Sequence, residues 1–125
     1  MFEISVTSAF VAAHGLCGPG GTREPLHKHK WRVSVTCAGP SLGEHGLLVD
    51  FAAVRGPLAE LLATFDQRSL NELPAFAGAE PSAEQVARVV AEALGPHLPE
   101  SVRLLCVEIE EEPGCVARYR PGAAG

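Results

Sequence analysis

Apolar residues recur along this chain with two different periods, and the change of period marks out its elements. Over residues 1–13, Phe2, Ile4 and Val6 alternate with Glu3, Ser5 and Thr7, and Phe10 and Val11 follow. A period of two in a stretch rich in β-branched and aromatic residues predicts a strand. Residues 15–21, GLCGPGG, hold four glycines and a proline, so the ladder ends there in a loop. Alternation resumes over residues 26–38, with Trp31, Val33 and Val35 on one face and Arg32, Ser34 and Thr36 on the other. Residues 39–46 read as a turn region.

From Asp50 the period lengthens. Val54, Leu58, Leu61, Leu62 and Phe65 fall at helical spacing, and Asp50 is placed to cap the first turn. Pro57 fits that helix only near its first turn or at a kink. Residues 66–81 carry no period. Ser82 with Gln85 forms a capping box that opens a second helix through Val86, Val89, Val90 and Leu94, ended by Gly95 and Pro96. Residues 102–112 form a strand whose alternation is clean from Leu105, and residues 116–119 form a short last one. With no repeat and no internal linker, residues 1–125 are expected to make one domain. The order strand, strand, helix, helix, strand, strand predicts an α+β sandwich, two helices on one face of a four-stranded antiparallel sheet. Two unpaired sheet edges would remain, so a homo-oligomer is expected.

Composition narrows the class. With 46% apolar and 20% charged residues, the 125-residue chain reads as an ordinary globular protein. No apolar stretch reaches the roughly 18–20 residues that span a bilayer, so no membrane role is expected. The opening MFEISVTSAF lacks the basic and apolar regions of a signal peptide, and the expected compartment is the cytoplasm. The four cysteines, Cys17, Cys37, Cys106 and Cys115, include no CxxC pair and are expected to be reduced and mostly buried. A net charge of −5 argues against nucleic acid as a partner. Arg23, Lys28, Lys30 and Arg32 form a local basic cluster, either a solvated face or a landing place for an anionic small molecule.

The chemistry concentrates in histidines. His27 and His29 form an HxH pair on a strand, where a period of two points both rings to one face. Alone, such a pair is coincidental more often than not. His14, at the end of the preceding strand, supplies a third ring where a hairpin partner would bring it. Three imidazoles from adjacent strands make a zinc site with an open fourth position, the catalytic pattern. His45 and His97 read as surface residues. Glu111 continues the face of Leu105, Val107 and Ile109, where a carboxylate needs a partner, and the guanidine-like edge of a ligand would pair with it twice. The competing reading is a frayed strand end with solvated glutamates.

Six stretches, AFVAAHGL, PLHKHKWRV, GLLVDFAAV, FDQRSLNEL, PSAEQVA and VEIEEEPGCVARY, resemble the 6-pyruvoyl-tetrahydropterin synthase / 6-carboxytetrahydropterin synthase family. They follow the family's order across almost the whole chain. The resemblance implies the tunnelling fold (T-fold), a four-stranded antiparallel sheet with two helices between strands two and three. It implies trimers around a barrel, stacked as dimers of trimers, with active sites at subunit interfaces. His14, His27 and His29 match the family's zinc ligands and Glu111 its pterin anchor. The implied substrate is 7,8-dihydroneopterin triphosphate, with its side-chain hydroxyls on zinc.

The departures from the family pattern fall on proton transfer. Arg23 stands where the family's catalytic cysteine lies, four residues before the HxH pair, with Cys17 nearby but out of register. Asp66 matches the acidic member of an Asp-His pair whose histidine is here Gln67, and glutamine cannot serve as a general base. Lys28 and Lys30 replace a glycine and an asparagine. Glu24 matches a branch of the family in which a glutamate works in the cysteine's stead and the product is 6-hydroxymethyl-7,8-dihydropterin. The catalytic candidates are therefore Glu24, Asp66 and Cys17, with Glu24 as an exposed loop residue the competing reading. Two functions follow: a zinc-dependent pterin lyase, or a zinc- and pterin-binding homologue without the standard synthase activity. A purely structural chain without metal is the third alternative.

Overall fold

The computed structural model describes residues 1–122. Its centre is a hairpin of two long strands, Phe2–His14 (β1) and His27–Gly39 (β2), paired antiparallel along their whole length. Phe2 stands opposite Gly39 and His14 opposite His27. Facing residues of an antiparallel pair share a side of the sheet, so this register puts Val6, Phe10, Ala12 and His14 beside Trp31, Val33 and Val35. All seven are buried.

Two helices cover that side. Asp50, expected as the cap, stands one residue before the cap position, Phe51, of the helix Ala52–Ala63 (α1), where its carboxylate accepts the Ala52 N–H at 2.9 Å. Pro57 lies inside α1, in its second turn, without ending it. Gly56 before it has no Cβ to clash with the ring, which eases the conflict between a proline and the residue that precedes it. Ser82 Oγ accepts the Gln85 N–H at 3.2 Å and opens the helix Ala83–Leu94 (α2). Val54, Leu58 and Leu62 of α1, with Val86, Val90 and Leu94 of α2, join the strand residues in one core.

The sheet differs from the expected four antiparallel strands. Between the helices, Arg68–Ser69 (β3) pairs parallel with Ala12 and Ala13, and the chain ends in Arg103–Glu112 (β4) and Cys115–Tyr119 (β5). The result is a mixed five-stranded sheet in the order β3-β1-β2-β4-β5. A two-residue strand leaves no alternation to read. It is fixed by long-range bonds: Asp66 Oδ1 accepts the Val11 N–H at 2.8 Å, and the Gln67 N–H donates to the Val11 carbonyl at 2.6 Å.

Two β-bulges interrupt β4, and the first corrects the expected face of Leu105. Thr36 pairs with Cys106 and Cys37 with Leu104, so Leu105 is skipped and Leu104 packs on the core instead. Farther along, Glu110 pairs with Val116 and Glu112 with Cys115, which leaves Glu111 as the extra residue. The uncovered side of the sheet is polar, with Ser5 on Thr36 at 2.7 Å, Thr7 on Ser34 at 2.8 Å and Arg118 on Glu108 at 2.9 Å. The cysteines are free, and burial holds for only half of them: Cys37 and Cys106 are buried, Cys17 and Cys115 exposed. Among the described residues no helix is long and apolar enough to cross a membrane.

Candidate metal centre

The hairpin register brings the three histidines together at one end of the helix-covered side. A ring nitrogen from each of His14, His27 and His29 lies within 4.8 Å of the others. His14 is buried and its ring is doubly constrained. Its Nδ1 lies 2.7 Å from the carbonyl oxygen of Pro81, which can only accept, so Nδ1 carries the proton and Nε2 turns inward. Below it, Trp31 packs edge-on at 4.7 Å between ring centroids and donates its Nε1–H to the Ala12 carbonyl at 3.1 Å. The floor is stiffened further by Phe10, stacked on Trp31.

His27 and His29 complete the group. His27 Nδ1 faces His29 Nε2 at 2.6 Å, while His27 Nε2 lies 3.1 Å from Glu24 Oε1. Three imidazoles, one with its tautomer fixed by a backbone carbonyl, fit a zinc ion or a similar divalent metal. Ligand nitrogens around a tetrahedral zinc stand about 3.3 Å apart, so the His27–His29 contact has to open by about 0.7 Å to admit one. His45 and His97 are exposed and lie elsewhere, as expected.

Two carboxylates border the rings. Glu111 Oε2 lies 3.2 Å from His14 Nε2 and 3.3 Å from His29 Nε2. Glu24 Oε1 accepts both the Leu16 N–H at 2.8 Å and the His27 contact. The Leu16 bond first, and then His27, hold the Glu24 carboxyl below the ordinary carboxylate range. At neutral pH it is a carboxylate, able to accept a proton.

The remaining candidates are held apart from the rings by bonds of their own. Asp66 lies at the outer edge of β1, its Oδ1 on the Val11 N–H. Beside it Gln67 adopts φ of 60°, a left-handed backbone uncommon for any residue but glycine. Cys17 is exposed, with its N–H on Glu80 at 3.1 Å and its backbone bridged to Arg23. Arg23 donates to the Gly15 carbonyl at 2.8 Å and reaches Glu80 at 3.4 Å, tying the loop down. The other basic residues, Lys28, Lys30 and Arg32, alternate out to the uncovered side, Arg32 beside Glu110.

Sequence reasoning missed the supports of this site. Asn71 grips Gly15 with both ends of its amide, Oδ1 on the N–H at 2.9 Å and Nδ2 on the carbonyl at 2.8 Å. A Cβ at Gly15 would stand 2.8 Å from the Glu24 carbonyl oxygen, so only glycine lets the segment after the loop approach β1 this closely. Asn71 belongs to the LNEL stretch, a signal without an assigned partner. Pro81 gave none, because its contribution is a carbonyl oxygen.

A sheet covered on one side by two helices, with three imidazoles converging at its end, defines a candidate α+β metalloprotein. The chain belongs to the 6-pyruvoyl tetrahydropterin synthase family, whose profile matches residues 3–122. A protein of Archaeoglobus fulgidus, itself provisionally assigned as a 6-carboxy-5,6,7,8-tetrahydropterin synthase, is 33% identical over 70 residues. That match covers 55% of this chain and 58% of the relative, little more than half of either. The 6-pyruvoyl tetrahydropterin synthase of Caenorhabditis elegans superposes with a TM-score of 0.85 at 23% identity, covering 97% of this chain and 96% of the other. A Plasmodium vivax 6-pyruvoyltetrahydropterin synthase, in which a glutamate described as a catalytic residue is replaced by alanine, gives 0.81 at 17% identity over 97% and 98%. These likenesses establish the fold, the tunnelling type with two helices, on a sheet that here has five strands rather than the expected four.

Proposed function

We propose that this protein is a zinc-dependent pterin lyase acting on 7,8-dihydroneopterin triphosphate. The convergence of His14, His27 and His29, with His14 Nε2 turned inward by the Pro81 carbonyl, carries the reading. Bound there, zinc would polarise the hydroxyls of the substrate's side chain. Glu111 anchors the pterin ring, its two oxygens matching the paired N–H groups of a guanidine-like edge. Glu24 is the base: both of its present bonds fall on Oε1, and Oε2 is free of them to take a hydroxyl proton. Support for a glutamate in this role comes from the Plasmodium vivax protein, where one is described as catalytic. Glu24 touches a ring of the site, whereas Cys17 is exposed with its backbone tied to Glu80 and Arg23, so Glu24 is preferred.

A base that abstracts the proton of the 2′-hydroxyl drives retro-aldol cleavage of the C1′–C2′ bond: the outer two carbons leave as an aldehyde carrying the triphosphate, the electron pair left at C1′ takes up a proton, and 6-hydroxymethyl-7,8-dihydropterin is the product. Copies of the chain assemble as trimers or dimers of trimers in the cytoplasm, and Asp66, exposed at the sheet edge, serves a neighbouring copy's site. A second reading, a zinc- and pterin-binding homologue without the synthase reaction, draws on Arg23, whose guanidinium at the cysteine's position is engaged with Gly15 and Glu80.

The test is incubation with 7,8-dihydroneopterin triphosphate and identification of the product by mass spectrometry, repeated with Glu24→Ala and Cys17→Ala. Loss of turnover in Glu24→Ala alone is the expected result. An unchanged rate there removes Glu24 as the base, and tight pterin binding without turnover in the wild type selects the second reading.

A further inference from the structure

Glu111 is held in a place that a substrate anchor alone does not require. It is the extra residue of the bulge between Glu110 and Glu112, and such bulges re-aim a side chain. The carboxylate lies over the histidines, on the side of the sheet shared by Val107 and Ile109, and its side chain is only 23% exposed. One oxygen, Oε2, meets two nitrogens: His14 Nε2 at 3.2 Å and His29 Nε2 at 3.3 Å.

The way the His14 ring is held gives that contact its direction. Its Nδ1 proton is committed to the Pro81 carbonyl, so Nε2 is the nitrogen left to face Glu111. Glu111 Oε2 faces that nitrogen across 3.2 Å, close enough for one cation to be held by both. The same oxygen faces His29 Nε2, which in turn faces His27 Nδ1. One carboxylate oxygen thus stands beside ring nitrogens of two of the three histidines. The separations of 3.2 and 3.3 Å also match the roughly 3.3 Å between neighbouring donors of a tetrahedral zinc.

We infer that Glu111 is a member of the metal-binding set, a fourth donor alongside His14, His27 and His29. The inference rests on the proposed metal centre and deepens it. The site would be closed by four protein donors until a substrate draws the carboxylate away, and metal and pterin would then share one residue.

Zinc affinity of the full-length protein without a histidine tag, measured by competition with a chromophoric chelator, tests this directly. Glu111→Gln and Glu111→Ala are each expected to weaken zinc by at least about 10-fold and to shift the visible absorption of the cobalt(II)-substituted protein. Glu110→Gln, on the uncovered side by Arg32, should change neither. Thermal melting in chelator checks that the variants fold. If both Glu111 variants hold zinc as tightly as the wild type with the same cobalt spectrum, and lose only pterin affinity, the inference is overturned while the pterin-lyase reading stands. Failure of the wild type to bind stoichiometric zinc overturns both.

Discussion

His14 and Pro81 are joined across 67 residues by a 2.7 Å hydrogen bond from ring Nδ1 to backbone carbonyl. Pro81 immediately precedes the Ser82 cap of α2, so the start of that helix fixes the ring that closes β1. A metal-binding nitrogen is thus oriented by the packing of a helix on the sheet.

Metal should therefore stabilise the fold through this ring. At zinc one hundred times its dissociation constant, binding adds about 2.7 kcal/mol to the unfolding free energy. His14→Ala is expected to lose that increment, and also to lower stability in chelator by about 1–3 kcal/mol because the Pro81 carbonyl is left buried without a donor. Urea melts of both proteins with zinc and with chelator separate the two effects. An equal zinc increment in the variant would remove His14 from the ligands.

Trp31 should report the same event optically. It is the chain's single tryptophan, fully buried, with its ring 4.7 Å from that of His14 and 6.1 Å from that of His29. Cobalt(II) binding is expected to quench its emission strongly with a stoichiometry of one, and His29→Ala should abolish the quenching. Emission insensitive to cobalt would mean that the ion binds away from the hairpin end.

Much of this was legible in the sequence, and the limits have physical causes. The period of two placed Trp31, Val33 and Val35 on the core side, and the same period aligned His27 with His29. The pairing of His14 with His27 needed only a hairpin. What escaped were contacts in which backbone atoms take part. The strand Arg68–Ser69, the Pro81 carbonyl under His14 and the Asn71 grip on Gly15 join segments far apart in sequence through groups that every residue owns. The face of Leu105 in β4 went wrong for a related reason: a bulge inserts one residue without any change of composition, so Leu104 rather than Leu105 reached the core.

The Asn71–Gly15 clamp should matter for stability and metal together. Asn71→Asp removes the amide donor and turns a carboxylate towards the Gly15 carbonyl, with an expected cost of about 1–3 kcal/mol. Gly15→Ala forces its Cβ against the Glu24 carbonyl oxygen, 2.8 Å away, and should cost about 1–3 kcal/mol. Because Gly15 follows His14 and Glu24 precedes His27, both variants should also weaken zinc. Denaturant midpoints and chelator competition measure the two consequences. A variant as stable as the wild type would show that the loop is not held from Asn71.

Cys37 gives the expected pH dependence. Burial pushes its thiol up from 9.0 to about 11, because the core cannot solvate a thiolate. The folded chain therefore keeps a proton that the unfolded chain releases. Stability from this residue is fully present below about pH 9 and is lost as pH rises through about 11, at up to about 1.4 kcal/mol per pH unit in between. Cys37→Ala should flatten that part of the decline while every other titrating group stays the same. The measurement is the difference between wild-type and variant unfolding free energies at several values from pH 8 to about pH 11. Parallel curves would mean that the buried thiol ionises as easily in the fold as out of it, contrary to its place between β2 and the helices.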